Sequence, residues 1–222
     1  MKSAVIVFPG SNCDRDVQVA LRQITGREPT MVWHGDSELG KHDLVVLPGG
    51  FSFGDYLRCG AISALSPIMK AVVAHAERGG AVLAICNGFQ IACESGMLPG
   101  VLMNNASGRF VCRPVGMTVA STDTAFTGGY DAGQPVTIPV AHHDGNYFAD
   151  DATLDRLEGE GRIVFRYAEN DNPNGSARDI AGIASANGRV VGMMPHPERV
   201  CDERLGGTDG RAMFRSAMEA LA

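Results

Sequence analysis

Three short, unbroken apolar runs, Ala4 to Phe8, Leu44 to Leu47 and Ala81 to Ile85, each stop at a turn-forming group: Pro9-Gly10, Pro48-Gly49-Gly50 and Cys86-Asn87-Gly88. An apolar run of this length with no polar alternation reads as a strand covered on both faces, the habit of a parallel sheet. Between the runs the apolar period becomes helical. Val17, Ala20, Leu21 and Ile24 recur at helix spacing until Gly26, with Ser11 or Asn12 as the candidate cap. Ile62, Leu65, Met69, Val72, Val73 and Ala76 line one face of a second helix ending at Gly79-Gly80. Thr30 to Trp33 is a further candidate buried strand, and Phe89 to Glu94 a helix directly after the Cys86 turn.

The second half has a different texture. Phe110 to Val119 and Val136 to Val140 are strand-like and separated by a Gly, Ser, Thr and Asp cluster, which predicts an antiparallel insertion. Ile163 to Tyr167, Ile180 to Ser185 and Val190 to Met194 continue the pattern, and Phe214, Ala217, Met218 and Leu221 mark a closing amphipathic helix. The expectation is an α/β fold, an open, mixed, mostly parallel sheet with helices on both faces, in one domain over residues 1–222.

Composition excludes several functions. A formal charge of -6 argues against a phosphate-backbone interface, so nucleic acid is not an expected partner. The apolar run at Ala4 to Phe8 is too short to span a membrane or to export the chain. Six cysteines without a Cys-x-x-Cys pair fit reduced thiols in a cytoplasm.

In open α/β sheets ligands lie beyond the carboxyl ends of the strands, which directs attention to Pro48 to Gly54, Cys86 to Gly88 and Met194 to Glu198. Ala84-Ile85-Cys86-Asn87-Gly88 has the small-x-nucleophile-x-small form of a nucleophile elbow, which pushes Cys86 out at its exposed tip. A helix starting there aims its N–H groups at the sulfur, a setting that favours a thiolate. A structural cysteine is the competing reading, and the Asn-Gly turn tells against it. His196, bracketed by Pro195 and Pro197, is the candidate proton shuttle, and Glu198 reaches it if the segment is extended, because residues i and i+2 then point the same way. The N–H of Gly50, or of its neighbour Phe51, with that of Asn87 would form an oxyanion hole.

These segments resemble the class I (triad) glutamine amidotransferases. The family's Gly-x-Cys-x-Gly-x-Gln appears as Ala84-Ile85-Cys86-Asn87-Gly88-Phe89-Gln90, and its Pro-x-His-Pro-Glu as Met194-Pro195-His196-Pro197-Glu198. Pro48 to Arg58, Asn172-Pro173-Asn174-Gly175-Ser176 and Asp209-Gly210 resemble the branch that serves purine biosynthesis, and the likeness covers essentially the whole chain. The resemblance implies a Cys86, His196, Glu198 triad that hydrolyses L-glutamine through a thioester. It also implies a synthetase subunit, with a small accessory subunit, that takes the ammonia and uses ATP and Mg. This chain then binds no cofactor or metal of its own. Phe51, Gln90 and His142 are carried over to substrate binding. Two departures stand out: Ala84 replaces a glycine, and Ala141 to Tyr147 stands where His-Gly-Glu-Gly is expected.

Gly35 to His42 nearly matches a phosphate-binding loop, but His42 lacks the required hydroxyl, Asp36 and Glu38 repel phosphate, and Asp43 opens a strand. His142 and His143 cannot easily join His196 around a metal, since neighbours in a strand face opposite ways. A cysteine hydrolase with another substrate on a related fold and a non-catalytic regulatory subunit are the competing functions.

Overall fold

A first β-α-β unit, β1 (Ser3–Val7), α1 (Asp14–Thr25) and β2 (Thr30–Trp33), opens the computed structural model, which describes all 222 residues. β3 (Leu44–Leu47), the single-turn α2 (Ala61–Ala64), α3 (Pro67–Glu77), β4 (Ala81–Ile85) and α4 (Asn87–Glu94) follow. The chain continues through β5 (Val101–Met103), β6 (Val111–Val119), β7 (Pro135–His142), β8 (Asn146–Phe148), α5 (Asp151–Gly159), β9 (Ile163–Tyr167), β10 (Ile180–Ala184), β11 (Val190–Met193) and α6 (Arg211–Ala220).

Nine strands form one sheet in the order β2-β1-β3-β4-β11-β10-β9-β6-β7, and β5 pairs with β8 apart from it. The first five are parallel and the last four are joined antiparallel. β1 to β2 steps one way along the sheet and β3 to β4 the other, so right-handed crossovers place α1 and α3 on opposite faces. α6 packs beside α1, and α4 lies against β3, β4 and β11. The central strands are fully buried, as their unbroken apolar runs require. Phe89 of α4 stacks on Tyr147 of β8 with ring centroids 5.9 Å apart, tying the small ribbon to the core. Burying an aromatic side chain of this kind contributes about 1.5–3 kcal/mol.

Several expectations are corrected. The helix expected from Ile62 to Ala76 is two, because Pro67 starts a new helix at its first position after Ser66 adopts an extended backbone. Leu65 is consequently 84% exposed and does not line the core. β2 is an edge strand with only Val32 buried, so it is not the buried strand its apolar content suggested. Neither Ser11 nor Asn12 caps α1, whose N-cap is Cys13 without a side-chain cap bond. The antiparallel pairing expected of β6 and β7 is present, and β6 joins the pair to the main sheet through β9. α5 was not foreseen, although Asp150 caps it by accepting from the Thr153 N–H at 2.7 Å.

Candidate active site

β1, β3, β4 and β11 are adjacent and parallel, so their carboxyl ends lie in a row. The loops leaving them carry Cys13, Gly49-Gly50, Cys86 and His196. The three loops singled out from sequence therefore meet. A side chain at Gly49 would place its Cβ 2.7 Å from His196 Cε1 and 3.4 Å from the Cβ of Cys86, so glycine there is what lets histidine and cysteine approach across the loop.

Cys86 sits at φ 51°, ψ -106°, a strained backbone for a residue with a Cβ, between β4 and α4. The elbow is tight on its far side: a Cβ on Gly88 would fall 2.0 Å from the carbonyl oxygen of Leu47, so only glycine lets α4 begin there. Ala84 lies inside β4 with no positive φ, and alanine fits the place of the family glycine without strain. Cys86 is 4% exposed, contrary to the expected exposed tip, and its S–H faces the Ala141 carbonyl at 3.8 Å.

His196 and Glu198 are almost fully enclosed, at 1% and 2% exposure. The N–H of His196 donates to Pro139 O at 2.8 Å, and its Nδ1 lies 2.7 Å from Glu198 Oε1. Pro197–Arg199 is a single 3-10 turn, so Glu198 reaches the ring by folding beneath it, and not along the extended segment expected. With Nδ1–H held by the carboxylate, Nε2 is left buried without a partner. Burial pulls the His196 pKa down, but the charges of Glu198 and Cys86 outweigh it and hold the ring well above the ordinary histidine range.

The N–H of Gly50 donates to no protein acceptor and that of Asn87 opens α4, where the first N–H groups have no intrahelical partner, whereas that of Phe51 is spent on Gly10 O at 3.1 Å. Of the two alternatives for the loop donor, Gly50 alone remains available. The side chain of Phe51 is 42% exposed and lies by Phe110, with centroids 6.2 Å apart. Gln90 is buried with its amide engaged at both ends: Nε2 donates to Asp144 O at 2.6 Å and Oε1 accepts from Asn87 Nδ2 at 2.8 Å. His142 is buried, with Nδ1 3.1 Å from Asn105 Oδ1 and Nε2 3.4 Å from Asn174 Nδ2. Burial, with help from the charge of His196, pushes it down to about 4, so it is a neutral ring held within the protein.

Phe51, Cys86, Gln90 and His142 border one cavity with Asp55 and Asp144, and its free room is about 10 Å³, space for about one water. That room is smaller than a glutamine side chain. Asp55 and Asp144 were given no role from sequence; Asp55 ends a short 3-10 turn and Asp144 lies in a bend, where no periodicity marks them. Cys13 was also missed, having been read as one of six scattered thiols. Its sulfur, a ring nitrogen of His196 and an oxygen of Glu198 all lie within 4.8 Å of one another, a donor set that suits a metal ion. All three of those groups already serve internal bonds, His196 with Glu198 and Cys13 Sγ as acceptor from Arg199. His142 and His143 face opposite ways, one buried and one exposed. The loop from Gly35 to His42 leads into β3 and not into a helix, so no helix N-terminus cradles a phosphate there.

Residues 1–207 match the CobB/CobQ-like glutamine amidotransferase domain. The chain is similar to the phosphoribosylformylglycinamidine synthase subunit PurQ of Novosphingobium aromaticivorans, with 62% identity over 220 residues, covering 99% of this chain and 97% of the relative. The same subunit of a Ruegeria species is 62% identical over 217 residues, covering 97% and 96%. Among solved structures, a chain of PurLQS from Thermotoga maritima superimposes with a TM-score of 0.90 at 43% identity, covering 100% of this chain and 99% of that one.

Proposed function

Because the chain belongs to the CobB/CobQ-like glutamine amidotransferases, we propose that it is the glutaminase subunit of a phosphoribosylformylglycinamidine synthase. The observation that carries this reading is the buried His196–Glu198 pair, 2.7 Å apart, beside a cysteine at a strained strand-to-helix elbow. The thiolate of Cys86 attacks the side-chain amide carbon of glutamine, and the N–H groups of Gly50 and Asn87 receive the oxyanion. His196 protonates the departing nitrogen, which leaves as ammonia, and a γ-glutamyl thioester remains on Cys86. His196 then takes a proton from water as it attacks the thioester, releasing glutamate and restoring the thiol. Glu198 holds the ring in the required tautomer and stabilises the imidazolium. Gln90 fixes the elbow helix to Asp144, just after β7, and Phe51 and His142 border the substrate cavity.

The ammonia passes to a synthetase subunit, which uses ATP and Mg to convert formylglycinamide ribonucleotide to its amidine, with a small accessory subunit in the complex. Partner-dependent opening is consistent with the closed cavity at Cys86. All six cysteines are free thiols and no helix is long and apolar enough to cross a membrane, which fits a cytoplasmic enzyme. The test is reaction with an electrophilic glutamine analogue followed by mass spectrometry. An adduct on Cys86 that glutamine protects against supports the reading; a complex with the synthetase subunit that labels elsewhere, and makes amidine only from free ammonia, excludes it.

A further inference from the structure

Cys13 stands at a junction between two parts of the site. It is 1% exposed and forms the N-cap of α1, next to the loop that leaves β1. Its backbone N–H donates to Gly49 O at 3.3 Å, and its neighbour Ser11 bridges to Gly50, so this segment carries the oxyanion loop. Its sulfur accepts from Arg199 Nη2 at 3.1 Å and donates to Asn12 Oδ1 at 3.2 Å. Arg199 ends the same 3-10 turn that presents Glu198, and its Nε also reaches Asp16 at 3.4 Å on the first turn of α1. The sulfur lies 3.2 Å from the Cβ position of Gly49, the point that His196 and Cys86 approach from their own sides.

We propose that Cys13 is a positioning residue for glutamine hydrolysis: with Arg199 it locks the His196–Glu198 turn to the Gly49-Gly50 loop and so fixes the shuttle and the oxyanion donors relative to Cys86. The proposal rests on the glutaminase reading. Sulfur suits the task because it is both donor and acceptor at a place closed to water, whereas alanine is neither. With alanine there, Arg199 keeps only its exposed contact to Asp16, and the turn is free to shift. A displacement of about 1 Å at a reacting centre costs up to about 100-fold in rate. Serine keeps both hydrogen-bonding roles and the buried volume approximately.

The experiment compares the wild-type chain with Cys13→Ala, Cys13→Ser and Arg199→Met, each assembled with the synthetase subunit. The expected result is a 10- to 100-fold fall in kcat for glutamine hydrolysis in Cys13→Ala, with KM for glutamine within threefold and ammonia-dependent synthesis unchanged. Cys13→Ser recovers most of the rate, and Arg199→Met behaves like the alanine variant. The proposal is overturned if Cys13→Ala keeps kcat within twofold, if KM rises while kcat holds, or if ammonia-dependent synthesis falls in parallel, which marks a role in folding or assembly only. Failure of the glutaminase reading shows separately, as a wild-type complex without glutamine-dependent turnover.

Discussion

Glu198 gives one carboxylate oxygen to His196 at 2.7 Å, while its other oxygen is buried with no partner. The carboxylate is therefore poised on the imidazole alone, and its charge outranks every other influence that raises the pKa of the ring.

Glu198→Gln removes that charge while keeping the shape. The imidazolium formed when His196 deprotonates a thiol or water loses its stabiliser, and an amide also permits the wrong ring tautomer. We expect kcat for glutamine hydrolysis to fall by about 10²- to 10⁴-fold with KM little changed. Steady-state glutaminase assays check this, and a loss below threefold contradicts the role given to Glu198.

The strain at Cys86 makes a second prediction about stability. Alanine at position 86 keeps a Cβ on a backbone at φ 51°, whereas glycine relaxes it. Cys86→Gly is expected to be more stable than Cys86→Ala by about 1 kcal/mol, the reverse of the usual ranking of these residues. Both variants abolish glutamine-dependent synthesis and leave ammonia-dependent synthesis intact. Urea denaturation of the two variants measures the difference, and equal midpoints count against a strained elbow.

The parallel half of the fold was legible because β3 and β4 are buried on both faces and show it as unbroken apolar runs, each ended by residues that turn. The convergence of Cys86, His196 and Glu198 was legible because they sit directly after such runs. What sequence did not show depends on distant pairing. Thr30 to Trp33 looks apolar enough for a central strand, yet β2 ends the sheet, and nothing local states its place in the order. The Ser66-Pro67 break was readable and was overridden by the helical spacing around it. Cys13 became visible only when Arg199, 186 residues away, closed on its sulfur.

Asp55 gives the site a pH signature. Burial is the main reason its pKa is raised to about 6; a hydrogen bond with Cys59 works against this and the nearby charge of Asp144 adds to it. An acid whose folded value lies above its unfolded one gives stability that is fully present below about 3.8 and lost as pH rises through about 6. The wild-type chain is thus expected to gain stability on acidification from pH 7.5 to 5 through this residue. Asp55→Asn, neutral throughout, should melt roughly 2 °C higher than wild type at pH 7.5, and the gap should narrow by pH 5. Thermal melts of both proteins across that range decide it; a constant gap means Asp55 does not titrate there.

The same loop borders the cavity at Cys86. Phe53, Asp55 and Leu57 hold φ values of 55°, 55° and 69°, a left-handed path that costs about 1–2 kcal/mol per non-glycine residue. Leu57 is 91% exposed and Tyr56 74%, so little packing of their side chains offsets this strain, while Ser52 and Asp55 are tied to Asn87 beside the nucleophile. A strained loop with exposed apolar side chains, closing a cavity too small for glutamine, is set to rearrange when a partner covers it. In the isolated chain, alkylation of Cys86 by an electrophilic glutamine analogue is expected to be slow. Adding the synthetase subunit should raise the rate at least tenfold, while the exposed Cys112 reacts with iodoacetamide equally fast in both states. Equal Cys86 labelling with and without the partner would mean that the loop opens unaided and that the closed cavity is not the gate.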